Sequence, residues 1–505
     1  MSDADGYVLL TLFVLPLGVA ALLIATPSRE RSAMIGITGA SSLALFVMSV
    51  YAFARYSFDG GDQFQGVQSW DWIENVGLLG DHGIQLKVGL DGIGAAMVLL
   101  TGIVGMAGTW VSWKLEYRLK DFFVLYNVLL AGVFGTFVLL DVFVWFLFYE
   151  LAVLPMYLLI AVWGSTRKEY GSMKLMMMLV AASILIFTAI FGIFAQTDLG
   201  TFDMIGDAAA GRPGLFEAGA GIDRHFQLIL FPMIAIGCGT LGALFPLHSW
   251  SPDGHAAAPT AVSMVHAGVL MKLGAFGVIR LGFQMLPEGA EFWAPGLLVL
   301  GITGALYGAV SALRQDDLKL MTGFSSISHM GYVFVGLGTF NVIGMSGAVL
   351  QMFAHGVMTA LFFLLIGGIY DQAHNRDISN FSGMARVMPV WAVFFLIAGL
   401  ASFGLPGLSG FVAELHIFIG TFRAYPAIGA LAVLTAAITA TYLLRMFAQS
   451  FFGEPSPRWA SLNEITWPER AGAAVLAASI LALGLWPAPW IDRISATIQT
   501  IPGVL

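Results

Sequence analysis

Apolar runs of about twenty residues, parted by short polar segments, recur from one end of the chain to the other. The first, YVLLTLFVLPLGVAALLIA at 7–25, sets the type. Such a run crosses a hydrocarbon core about 30 Å thick as a helix. The pattern predicts fourteen spans, at 7–25, 33–56, 90–113, 121–140, 142–163, 170–195, 226–247, 259–286, 295–312, 320–339, 342–368, 386–421, 427–452 and 471–489. The short alternating segments of a membrane β-barrel are missing. The expected fold class is an all-α polytopic membrane protein, one membrane domain over 1–505. The amino terminus lacks a basic region before its apolar run, so it reads as a retained first span rather than a signal peptide.

Two spans look interrupted. The seventh runs into FPLHSWSPDG, with Pro246 and Pro252; the twelfth contains SFGLPGLSGFVAE, with Pro406 among Gly404, Gly407 and Gly410. Proline and glycine free backbone groups that lipid cannot satisfy, so they belong where protein or water faces the break. Broken helices in corresponding positions point to inverted repeats around a midplane ion site. Helices four to eight and nine to thirteen number five each, an odd count that inverts the second set, and the seventh and twelfth then correspond. The expected organisation is three helices in 1–120, a first repeat in 121–290, a second in 291–452 and a last helix in 453–505.

Composition agrees. Of 505 residues, 58% are hydrophobic and 11% charged, against roughly 25% charged in a soluble domain, and the mean hydropathy is +0.84. The net charge of −8 adds little, since the acids lie mostly in loops. Among the 23 Lys and Arg, fifteen fall in one set of alternate loops, Lys319 among them, and seven in the other, Arg280 among them; Lys272 remains. The positive-inside rule puts the fifteen in the cytoplasm. Both termini and the acidic loops 57–89 and 197–225 are then expected on the outer side of a bacterial plasma membrane. A single cysteine, Cys238, excludes an internal disulfide and an iron–sulfur cluster built by this chain alone. No Gly-Lys dipeptide occurs, so there is no P-loop. GCGTLG at 237–242 fits GxGxxG but lies in an apolar helix with no strand before it. The chain is expected to bind no cofactor, metal or nucleic acid; its immediate partner is the lipid bilayer.

Ionisable residues inside spans are the candidate chemistry. Lys272 sits amid SMVHAGVLMKLGAFGVIRL with no acid on its helix, and a lysine at that depth costs about 2.5–3.5 kcal/mol on insertion scales. Glu150 lies deep in the fifth span, five residues before Pro155, and Glu414 just beyond the twelfth-span break. His248, His266, His329, His355 and His416 lie in spans or at their ends. Linked by water, such groups relay protons, because desolvation brings carboxyl, imidazole and amine affinities together. Structural alternatives stand beside each. Glu150 and Lys272 could form a static ion pair, and His329 and His355 could be plain interhelical hydrogen-bonders. His416 reads as packing, Lys319 as an interfacial anchor, Gly304 and Gly308 as close helix contact, and MKLMMML at 173–179 as apolar filling. Asp141 is an entrance carboxylate or a helix cap. A bis-histidine haem finds no specific pair.

FLFYELAVLPMYLLIAVWG, FPLHSWSPDGHAAAPTAVSMVHAGVLMKLGAFGVIR, DDLKLMTGFSSISHMGYV, LPGLSGFVAELHIFIG and LDGIGAAMVLL together resemble the antiporter-like M subunit (chain 4) of proton-pumping NADH:quinone oxidoreductase, respiratory complex I, within a superfamily that includes multisubunit Na⁺/H⁺ antiporters and membrane-bound hydrogenases. The resemblance runs through essentially the whole chain. It implies two inverted five-helix repeats in fourteen helices and a proton path of Glu150 (fifth-helix glutamate), Lys272 (central lysine), His329 and His355 (hydrated axis), Glu414 (terminal site) and His248 (helix-seven histidine). It further implies that NAD(H) or another donor, FMN, iron–sulfur clusters and quinone reside in partner subunits, which include other antiporter-like and quinone-module chains. One position departs: Leu241 stands where the family has a helix-seven lysine, so Glu150 lacks its usual partner. Either His248 substitutes as the base, or the first half-channel is impaired. Three functions are thus expected in descending order: a proton-translocating complex I subunit, a Na⁺/H⁺ antiporter subunit, and a non-pumping scaffold.

Overall fold

The computed structural model describes residues 1, 3–58, 63–207 and 211–504; parts of both acidic loops, 59–62 and 208–210, lie outside these. Among the described residues twelve helices are long and apolar enough to cross a membrane. Leu318–Gly338 and the interrupted pair Pro389–Ser402 and Ser409–Ala424 bring the spans to the expected fourteen.

Both breaks are present, one longer than the pattern indicated. The seventh span stops at Leu241, turns through 242–249 with Ala243 at a φ of 57°, and resumes as Trp250–Ala257. The sequence reading ended this span at 247, because the second half is short and polar. The twelfth stops at Ser402 and restarts at Ser409, with Gly404 at φ 71° and Gly407 at φ 93°, conformations that glycine adopts without a Cβ clash.

Three spans, Gly92–Lys114, Thr260–Phe283 and Val342–Ala373, are enclosed by the others along their apolar windows. The flanking helices keep lipid-facing sides, exposing for instance Leu22, Ile184 and Leu434. Side-chain caps start several spans: Asp91 accepts from Gly94 N, Asp141 from Phe143 N and Val144 N, Asp317 from Lys319 N and Leu320 N, and Asn341 from Gly344 N. Each satisfies backbone donors left over at a helix start, and Asp141 is therefore a cap. Close packing of Pro287–Leu313 on Leu318–Gly338 rests on glycine: a Cβ on Gly308 would strike the backbone of Ser328.

At one end of the bundle a hairpin, Gln65–Ile73 with Ile84–Leu90, is joined through a buried Lys87–Asp203 pair of 2.6 Å to the loop after the sixth span. The helix Ala488–Ile498 closes over the same end, where Thr497 Oγ accepts from Gly92 N. Arg280, counted with the outer loops, is instead buried in the eighth span. Its Nη1 lies 2.6 Å from the Asp91 carboxylate and its guanidinium 4.8 Å from the Phe276 ring. The carboxylate and the ring permit a charge where composition alone suggests a loop.

Candidate proton-transfer site

The enclosed eighth span is not a regular α-helix. Two stretches of π-helix, His266–Leu270 and Val278–Phe283, flank Met271–Gly277, a distortion that often marks functional positions. The wider turn lets Lys272 Nζ bond back to the carbonyl of Ala267, five residues earlier. Its second partner is His355 Nδ1 at 2.6 Å, on the equally enclosed Val342–Ala373. Lys272 and His355 are 0% and 1% exposed. No hydrogen bond or ion pair joins Lys272 to Glu150 among the described residues, so the static ion pair is set aside.

From His355 the polar groups continue. Its ring centroid lies 5.4 Å from that of His329. His329 Nδ1 is 3.0 Å from Gln351 Nε2 and 3.8 Å from a Glu414 oxygen, and its Nε2 is 3.0 Å from Ser402 Oγ. The broken twelfth span builds this end: Ser402 closes its first half, and Glu414 reaches back from the second half to pack against Gly404, where any side chain would collide with the carboxylate. Lys272, His355, His329 and Glu414 thus form one file, and Gln351 and Ser402, which the sequence did not single out, hold its third member, His329. Glu414 accepts no hydrogen bond from a described residue, whereas Lys272, His355 and His329 are each hydrogen-bonded.

On the far side of Lys272 two more histidines stand together. His255 and His266 have ring centroids 4.2 Å apart, His266 stacks on Trp250 at 5.1 Å, and none of their four ring nitrogens has a protein partner among the described residues. His255 is in Coulombic range of Lys272. It lies on the short second half of the seventh span, in the SPDGH stretch whose proline drew attention to the break and not to the imidazole. The signal was available: an ionisable side chain in a membrane segment is a functional candidate by default.

Glu150 and His248 stand apart from the file. Glu150 is half-buried and accepts from Ser183 Oγ of the sixth span; Leu241 is buried among apolar neighbours. His248 stacks on Phe245 at 5.3 Å, meets the Tyr307 ring edge-on at 4.8 Å, and has no described hydrogen bond to Glu150. His416 Nδ1 bonds to its own helix at Val412 O, as a packing residue does. Lys319 is no interfacial anchor: it is 2% exposed, with Nζ 2.7 Å from Ala258 O, because Trp250–Ala257 and the start of the eighth span fold over it.

A bundle with two interrupted spans and a buried file of lysine, imidazoles and carboxyl defines an antiporter-like ion-translocating membrane protein. The transmembrane family described as NADH:quinone oxidoreductase/Mrp antiporter matches residues 140–439, and the chain belongs to it. NAD(P)H-quinone oxidoreductase chain 4-3 of Nostoc sp. is 34% identical over 468 residues, covering 91% of this chain and 81% of that one. Chain 4 of the Gloeobacter violaceus enzyme is 34% identical over 507 residues, covering 98% and 93%. Among solved structures, a chain of respiratory complex I from Thermus thermophilus with bound NADH aligns at a TM-score of 0.85 and 25% identity, over 97% of this chain and 99% of that one. A chain of the Mrp complex from Dietzia sp. shares the fold, with a TM-score of 0.83 at 20% identity over 99% and 97%.

Proposed function

We infer that this chain is a proton-translocating membrane subunit of a complex I-type NADH:quinone oxidoreductase. The observation that carries it is the file Lys272–His355–His329–Glu414, all four side chains buried and the first two on spans that the others enclose. Each member can hold or release a proton, and neighbours are close enough for direct or water-bridged transfer. Ring nitrogens left without protein partners at this depth are groups that solvent satisfies. The file offers nitrogen bases and a single carboxyl, a set suited to protons; alkali cations need shells of several oxygens. Together with the coverage of the quinone oxidoreductase relatives, this favours redox-coupled proton transfer over Na⁺/H⁺ exchange.

Moving one charge against 100 mV costs about 2.3 kcal/mol. That work comes from partner subunits, which carry the electron donor, FMN, iron–sulfur clusters and quinone. Residues 121–290 and 291–452 act as the two halves, and the lysine- and arginine-rich side faces the cytoplasm with both termini outside. Protons pass Lys272, His355, His329 and Glu414 in turn. Glu150 and His248 serve the first half at a distance from the file.

Protons translocated per electron pair, measured in membrane vesicles for wild type and Lys272→Ala, test this reading. Translocation requires a lower value in the variant; a wild-type value would leave only a scaffold role.

A further inference from the structure

The side of the protein rich in lysine and arginine carries a cavity of about 450 Å³ between the loop after Gly92–Lys114 and the starts of the eighth and tenth spans. Leu115, Ser165, Ala258, Thr260 and Lys319 are among its lining residues, and it has room for many waters at about 30 Å³ each. Charges around it are arranged unevenly. Lys114 Nζ holds both Asp371 and Glu469 at 2.5 Å, and Arg376 holds Asp317 at 3.1 Å. Asp371, Glu469 and Asp317 are therefore already paired with cations other than Lys319. Lys319, at the inner wall, has the Ala258 carbonyl as the one hydrogen-bond partner of its Nζ, and no carboxylate forms a salt bridge with it among the described residues.

What lies behind Lys319 gives the cavity its meaning. Ala258 directly follows the half-span Trp250–Ala257 that bears His255, and Gly323, one turn beyond Lys319, packs on Pro252 and the Cβ of His255. His255 is in Coulombic range of both Lys319 and Lys272, and its ring meets that of His266. Lysine, imidazole, imidazole and lysine thus connect an open cavity to the enclosed file.

We propose that this cavity is the proton inlet of the chain and that Lys319 is the side chain that takes protons out of it. A proton from a cavity water adds to the free amine of Lys319; the ammonium then gives a proton to an imidazole nitrogen of His255, regenerating the amine. Each hop moves one proton and no electron. His255 and His266 pass the charge toward Lys272. This rests on the translocation reading above and adds its point of uptake, at a residue that sequence alone assigns to the membrane interface.

The test uses the assembled enzyme in inside-out membrane vesicles, which expose the cytoplasmic face. Lys319→Met is compared with Lys272→Ala for proton pumping and protons per electron pair. Leu115→Cys is measured before and after a bulky charged methanethiosulfonate and again after a thiol reductant, beside wild type treated identically. The expected result is that Lys319→Met loses as much pumping as Lys272→Ala, and that thiol modification causes a loss the reductant reverses. Because the label acts after assembly, a purely structural role of the cavity does not mimic that reversal, and it decides alone if Lys319→Met fails to assemble. If Lys272→Ala pumps less while Lys319→Met and labelled Leu115→Cys match wild type, the inlet is refuted and the translocation reading stands. If Lys272→Ala itself pumps normally, both fall.

Discussion

Replacing Lys272 by arginine separates a lysine that carries protons from one that merely carries charge. In the structure its Nζ lies 2.6 Å from His355 Nδ1 and donates to the Ala267 carbonyl, with no carboxylate in contact. Two unit positive charges that close repel by about 6 kcal/mol at an effective dielectric of roughly 20. The pair therefore holds one proton at a time, and a second arrives only after the first has moved on toward His329. Arginine keeps the charge but does not deprotonate in proteins. With the guanidinium fixed, placing a proton on His355 meets the full repulsion, a population cost of roughly four powers of ten at about 1.4 kcal/mol each. Lys272→Arg should thus abolish this chain's share of proton translocation as completely as Lys272→Ala. The assay is protons per electron pair in membrane vesicles, with enzyme content normalised by electron transfer to an artificial acceptor. If Lys272→Arg translocates like wild type while Lys272→Ala does not, the lysine acts as a fixed cation and the relay argument fails.

Other residues give independent checks. Arg280→Met should destabilise the assembled enzyme by roughly 3–5 kcal/mol, because it strands the buried Asp91 carboxylate; the double change with Asp91→Asn should recover much of the loss in a heat-inactivation series, and a single variant as robust as wild type would count against the pair. His248→Ala tests whether that histidine replaces the base missing at Leu241: lower proton stoichiometry supports the substitution, and an unchanged value removes His248 from the path. Asp141 is pushed up to about 7, burial outweighing the backbone donors of Gln85 and Val144. Its folded value lies above the usual unfolded value of about 3.9, so its contribution is most favourable at low pH and is lost as pH rises between those two values. Asp141→Asn, which keeps the cap, should therefore be more heat-stable than wild type at pH 8 and similar at pH 4; equal stability at both would show that the carboxyl is not desolvated.

Much of this was legible without coordinates. Apolar runs of spanning length gave fourteen helices, proline and glycine clusters gave both breaks, and Lys272, His329, His355 and Glu414 stood out as ionisable groups in apolar surroundings, then proved to be one file. Lys319 and Arg280 show where the reading stopped. Both sit near span ends, where a cation normally reaches for water or headgroups, and only the segments folded over them make them interior. His255 was passed over because its helix is too short and polar to register as part of a span.

What the sequence determined by itself was the membrane class, the number of spans, the interruptions and the inventory of ionisable side chains, since each follows from local composition and the length needed to cross lipid. Which of those side chains meet was decided by tertiary structure alone. In water the buried face of a helix is the apolar one; in a bilayer lipid-facing and partner-facing sides are both apolar, and the pattern does not reveal how a helix is rotated. Lys272 and His355 lie 83 residues apart along the chain, and only the packing of two fully enclosed helices turns them toward each other.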